Sequence, residues 1–307
     1  MKTLLFSVIQ MASAILLLIG SAYGQESVLS SSVGARNASM ANANISESSD
    51  ASVMYENPAA LAYLDNGSIL LNHSQANSSS GMRENLTVPV VLRSPVSIAL
   101  GLDAYHFGYF RNPAPSDQRF FEYGYDLAFA GDVTPTLSVG GAASLRHGTA
   151  GDGTQAWGSY FALGADYAPT PDISYSFVWG GLGRDVTFFP DAMGIGMTTA
   201  SRPTSTFVEI GATMTFPSKA SLRPPFFIMS LANEKIAGIT GLYYMGGIEI
   251  RPLQFLELRV GYLSGPGVSA ARYGLGIKEG FFGLQYAVYP EMGTKTLIQQ
   301  FSISMAM

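Results

Sequence analysis

The sequence predicts an all-β transmembrane antiparallel barrel of about fourteen strands, with twelve as the alternative count. Three observations carry this reading. Charged residues make up 13% of the 307-residue chain while 47% of it is hydrophobic, against a usual charged share of roughly 25%. Apolar residues recur with a period of two over most of the chain. Beyond the first two dozen residues, no apolar run approaches the roughly 20 residues that a helical membrane span needs. The 18 Phe and 16 Tyr exclude a disordered chain. With no Cys, a disulfide scaffold and Cys-ligated metal are excluded. A net charge of −5 offers no basic stripe for nucleic acid.

The elements follow in chain order. Lys2, the apolar stretch from Leu4 to Ile19 and the small residues Ala22 and Gly24 read as an export signal over residues 1–24, cleaved after Gly24. The stretch is short for a membrane anchor and is interrupted by Ser7, Gln10 and Ser13. Residues 25–67 are rich in Ser, Ala and Asn and alternate little. From Ser68 to Met307 alternation dominates, which defines the barrel region 68–307. Its plainest example is Phe121, Tyr123, Tyr125, Leu127 and Phe129 against Glu122, Gly124, Asp126 and Ala128. Comparable ladders are expected over 86–92, 96–102, 137–145, 161–167, 173–179, 208–216, 242–250, 256–262, 273–277, 282–288 and 301–305, with weaker strands at 68–75 and 226–232. Fourteen strands leave about 17 residues for each strand and its connection, which suits membrane-crossing strands of about ten residues.

The connections alternate in length, as bacterial barrels with short periplasmic turns and longer outer loops require. Short ones are expected at 93–95, 131–136, 169–172, 251–254 and 278–280. Longer ones are expected at 76–84, 111–119, 147–155, 183–203, 264–270 and 289–296. One face of each ladder is Leu, Val, Ile, Phe and Tyr. The other carries Glu122, Asp126, Arg146, Asp166, Glu209, Glu249, Glu257 and Arg259 among many Gly and Ser. A lipid-facing charge costs a few kcal/mol at mid-depth, so these are lumen candidates. A secreted β-sandwich has the same alternation but a charge-rich outer face, which this chain lacks. Tyr105, Tyr109, Trp157, Tyr167, Trp179 and Tyr289 are candidates for the interfacial aromatic girdles. Phe207, Tyr243, Met245, Phe255 and Phe281 are expected on the lumen side.

The stretches Gly34-Ala35-Arg36-Asn37-Ala38-Ser39-Met40 and Asp50-Ala51 through Asn57-Pro58-Ala59-Ala60-Leu61 are distinctive. They resemble the start of the FadL-like outer-membrane barrels, the long-chain fatty acid transporters, and more closely their relatives PorV and PorQ of the type IX secretion system. The resemblance implies that residues 25–67 fold back into the barrel as a hatch, with Gly34, Arg36, Met40, Asp50, Asn57, Pro58 and Ala59 as its motif residues. The repeated lumen-side glycines suit that placement, because glycine in a strand often marks the close approach of another backbone. Arg36 either pairs with a lumen carboxylate such as Glu249 or Asp126, or is solvated. The chain departs from the fatty acid transporters in having one sizeable outer loop, 183–203. Within it Phe188, Phe189 and Met193 are candidates for contact with a ligand or protein, or for packing within the loop.

His73, His106 and His147 are the three histidines, and each is placed at a strand end or loop. No metalloprotease motif, nucleophile elbow or P-loop occurs, so neither catalysis, a cofactor nor a metal is expected. Two functions remain. The resemblance to PorV and PorQ implies an outer-membrane anchor for secretion-system or exported proteins. The alternative is a passive transporter of small hydrophobic molecules. Both have outer-membrane lipid as the surrounding solvent.

Overall fold

The computed structural model describes residues 32–46, 50–64, 68–76, 82–91, 96–107, 120–150, 152–190, 197–203, 206–217, 226–290 and 297–306. The expected export signal lies outside the described residues. Fifteen strands form one antiparallel sheet: β1 Ser68–Ala76, β2 Met82–Val91, β3 Val96–Phe107, β4 Phe120–Thr134, β5 Leu137–Ala150, β6 Gln155–Thr170, β7 Ile173–Pro190, β8 Met197–Pro203, β9 Phe207–Phe216, β10 Phe226–Ile236, β11 Tyr243–Leu253, β12 Leu256–Gly265, β13 Val268–Glu279, β14 Phe282–Pro290 and β15 Leu297–Ala306. Each pairs with its sequence neighbour except around β8. The start of β7 pairs with β6 on one side and with β9 on the other, whereas its distal part, Arg184–Pro190, pairs with β8. The first and last strands also pair, Ser68 opposite Ala306. The wall is therefore a closed barrel of fourteen strands, with β8 and the distal part of β7 standing outside the ring as a hairpin arm.

Closure follows from the two-residue period. Along β4, Tyr123, Tyr125, Leu127 and Phe129 are about half exposed, while Gly124, Asp126, Ala128 and Ala130 are buried. The same parity repeats around the wall, apolar side chains outward and small or polar ones inward. The outward set is what a lipid solvent accommodates at no cost. Both ends of the ring, Ser68 and Ala306, share the side bearing the tight turns at Pro135-Thr136, Pro171-Asp172, Gln254-Phe255 and Gly280-Phe281. In an outer-membrane barrel that is the periplasmic end.

Several expected outer loops prove to be strand. β5 runs to Ala150 and β6 begins at Gln155, which shortens the expected loop 147–155; β12 and β13 meet across Pro266 and Gly267 in place of the loop 264–270. Alternation fades at these strand tops because beyond the lipid the outward face no longer has to be apolar. The expected loop 183–203 is largely the β7–β8 arm.

Inside the ring lie residues 32–46 and 50–64. They form helix α1 (Ala35–Ser39), helix α2 (Val53–Glu56) and a 3-10 helix (Pro58–Tyr63). α1 packs on β12 to β15, and the 3-10 helix packs on the facing wall, β3 to β6. The core thus sits between this inner segment and the wall.

Candidate functional site

The inner segment fits because the wall yields glycines where its backbone comes close. A Cβ on Gly140 would stand 2.6 Å from the Ala59 nitrogen, and one on Gly261 would stand 2.5 Å from the nitrogen of Ala41. A Cβ on Gly247 would meet Met40 at 2.7 Å. Gly164 faces Asn57, Gly211 faces Ile45, Gly274 faces Ser39 and Gly101 faces the Tyr55 hydroxyl. Each of these positions would be filled by any side chain.

The motif residues hold the segment's two halves together. Asp50 accepts hydrogen bonds from the Ser52 nitrogen (2.9 Å) and hydroxyl (2.5 Å), and Ser52 lies on Gly34, where a Cβ would stand 2.5 Å from its oxygen. Asn57 donates to the Ile45 carbonyl at 3.0 Å and accepts from the Ala59 nitrogen at 3.1 Å, capping the 3-10 helix whose first residue is Pro58. Ser138 of the wall donates to the Ala59 carbonyl at 2.9 Å. These contacts satisfy backbone groups that burial would otherwise leave costly.

All eight lumen candidates face inward. Arg36 is 1% exposed and its Nε lies 2.7 Å from Glu249 Oε2. Glu249 also accepts from Arg259 at 2.6 Å and Arg251 at 2.7 Å, and Glu257 pairs with Arg259 and, at 3.4 Å, with Arg251. Three guanidinium groups and two carboxylates thus share one buried cluster that ties α1 to β11 and β12. Across the lumen, Asp126 accepts from Ser144, from Arg146 at 3.1 Å and from the Tyr55 hydroxyl at 3.3 Å. Arg146 donates on to Tyr160 at 3.2 Å. Asp166 is fully buried beneath Tyr63, and Glu122 is half-buried near the outer end of β4. On the inner segment, half-buried Glu56 is shut within the barrel, and desolvation raises its carboxyl above the ordinary 4.5, against the Ser32 hydrogen bond, the positive charges of Arg83 and Arg272 and the Asn37 hydrogen bond.

Toward the outer end the inner wall turns apolar. Ala41, Ala43 and Ile45 of the segment pack with Val178, Ala232, Met245, Leu263 and Val268, and half-buried Phe207 and Tyr243 close over them. Toward the periplasmic end the lumen widens into a cavity of about 750 Å³ bordered by Ser46, Tyr63, Arg251, Lys278 and Ser304. Phe255 and Phe281, expected inside, sit exposed at the tight turns, where the chain has left the strand register. Tyr289 corrects the girdle reading: it is 2% exposed, its hydroxyl donates to Gln300 at 3.0 Å and the Arg272 guanidinium stacks on its ring at 4.7 Å. Its parity with buried Gly283 and Ala287 on β14 was the available signal. Arg272, Gln300, Arg251 and Tyr55 are site residues that sequence reasoning missed.

Trp157, Tyr167 and Trp179 do face outward. Tyr105 lies on β3, but its side chain, like Tyr109 as a whole, lies outside the described residues. His73 faces outward and pairs with Glu84 at 2.6 Å, and His147 stacks on Trp157 at 4.3 Å. Phe188 and Phe189 fall on the arm's backbone, with side chains outside the described residues, as is Met193 altogether. Among the described residues no group of three His, Cys, Asp or Glu is placed to hold a metal.

No sequence-family profile matches the chain, and no curated protein does. Solved structures do. The CymD monoaromatic hydrocarbon channel superposes with a TM-score of 0.65 at 12% identity, covering 89% of this chain and 96% of that one. The two barrels share one fold. The P. putida toluene transporter TodX gives 0.62 at 11% identity over 89% and 98% of the two chains. A FadL homologue from Pseudomonas aeruginosa gives 0.63 at 10% over 93% and 99%. A barrel of this fold fits the outer membrane.

Proposed function

We propose that the protein is a passive outer-membrane channel for small hydrophobic molecules, with the N-terminal segment as the hatch that gates it and residues 1–24 as the cleaved export signal. The observation that carries this reading is the apolar cluster on the outer half of the inner wall, where Phe207, Tyr243 and Met245 face the segment in a lumen lined mostly by small and polar residues. Apolar side chains aimed into the lumen suit a path for apolar solutes once the segment moves aside. The likeness to hydrocarbon channels supports transport over the secretion-anchor reading, for which the comparisons offer no support. Diffusion of ligand through the resting lumen is blocked by the segment, so transport requires part of it to move.

The test is uptake. Cells whose lipopolysaccharide outer membrane slows entry of apolar solutes, expressing the full chain, should take up labelled toluene faster than vector-only cells. Equal rates would overturn the transport reading. Recovery of secretion-system proteins with the purified barrel would support the anchor instead.

A further inference from the structure

Resting on the transport reading, we infer that the ligand is an apolar molecule bearing a hydroxyl group, such as a phenol, and that Glu209 and Ser176 receive that hydroxyl. Glu209 is 7% exposed on the inner face of β9, and its Oε1 has no hydrogen-bond partner among the described residues. It lies directly across from Val178 on β7 and Glu234 on β10. On its own strand Phe207 precedes it, and Gly211, covered by Ile45, follows it. The carboxylate is therefore set into the edge of the apolar cluster.

Ser176 strengthens the case independently. Its hydroxyl is also buried and without a hydrogen-bond partner among the described residues, and the residue pairs with Gly211, which makes it the diagonal neighbour of Glu209 on the same face. Diagonal neighbours lie about 7–8 Å apart at the backbone, a span that one ligand oxygen bridges. The ligand hydroxyl would donate to Glu209 and accept from Ser176. Leaving a buried carboxyl oxygen unpaired is costly, and the neighbouring cation does not offset it: Lys235, next along β10, is exposed and caps the Ile239 and Gly241 carbonyls.

The same arrangement rejects acids. Glu209 faces Glu234, and Glu56 of the inner segment is a third carboxyl within electrostatic range. A fatty-acid carboxylate brought to the apolar cluster meets this group of acidic side chains, whereas a neutral phenol gains a hydrogen bond to the buried carboxyl. Ile45 gives way as the ligand enters, since its side chain occupies the space over Gly211.

Calorimetric titration of the purified full-length barrel with p-cresol, toluene and octanoate tests this. p-Cresol should bind about fivefold more tightly than toluene, the gain typical of one net hydrogen bond, and octanoate least. Glu209→Leu should remove the p-cresol advantage and leave toluene unchanged, and Ser176→Ala should reduce it in part. Should Glu209→Leu fail to assemble, Glu209→Gln, which keeps a carbonyl acceptor in altered geometry, should give an intermediate loss. Equal binding of p-cresol and toluene, an advantage that survives in the variants, or preference for octanoate would overturn the inference and leave the transport reading standing. No binding of any of the three would overturn both.

Discussion

At the scale of residues, Gly247 and Gly261 let the backbone around Met40 and Ala41 lie against the wall. Gly261→Val puts carbon where the Ala41 nitrogen sits, yet leaves the outward face of β12 unchanged. The barrel should therefore still assemble, while residues 32–64 become protease-sensitive and single-channel conductance rises. Unchanged conductance would show that the close approach does not seat the segment. Arg36→Ala leaves Glu249 to Arg251 and Arg259 and removes the only tie from α1 into that cluster among the described residues. Breaking a buried ion pair costs about 3–5 kcal/mol, so this variant should lower the denaturant midpoint of segment release, read by proteolysis, more than that of the barrel. Glu56 sets a pH dependence. Its carboxyl is raised by burial, with Ser32, Asn37, Arg83 and Arg272 opposing. The seated segment thus holds the proton more tightly than the released one. Seating is strongest below about pH 4.5 and weakens as pH rises through the raised value. Glu56→Gln should slow proteolysis of the segment at pH 7.5 and make little difference at pH 4; equal effects at both would refute the assignment.

At the scale of elements, the β7–β8 arm is separable from the ring, because the wall is completed by β6 with β7 and β7 with β9 over 159–184 and 207–214. Deleting residues 187–200 should leave the heat-dependent shift in gel mobility, the mark of a folded barrel, as in the full chain. Loss of that shift would mean that the arm contributes to closure. The arm also marks the limit of what the sequence disclosed. Strand parity was legible wherever lipid demanded an apolar outer face, as along Tyr123 to Phe129, and it also placed Asp126, Glu209 and Glu249 on the inner face. Where that demand ends, at Ala150, Val268 or Met197, polar residues continue in strand with no apolar rhythm to mark them. Arg251 read as a turn residue because its role comes from Glu249 and Glu257, which only the pairing of β11 with β12 brings near. Tyr289 shows the opposite case: its parity pointed inward, and a general preference of tyrosine for interfaces overrode it.

At the scale of the whole molecule, the two tryptophans of the chain, Trp157 and Trp179, both stand outward, 57% and 42% exposed. In vesicles of brominated lipid their fluorescence should be quenched relative to plain lipid; retention of full emission would place that face in water. The meeting of β1 with β15 has a further consequence for biogenesis. Gln300 of the last strand donates to the carbonyls of Ser32 and Val33 and to Asn72 of the first, at 3.1, 2.7 and 3.0 Å, and Ser302 accepts from the Ala35 nitrogen at 2.9 Å. The seam where the ring shuts is thus stitched from within by residues synthesised before any strand. The inner segment, made first, waits for the strand made last, and the wall cannot complete its last seam bonds until its own contents are aboard.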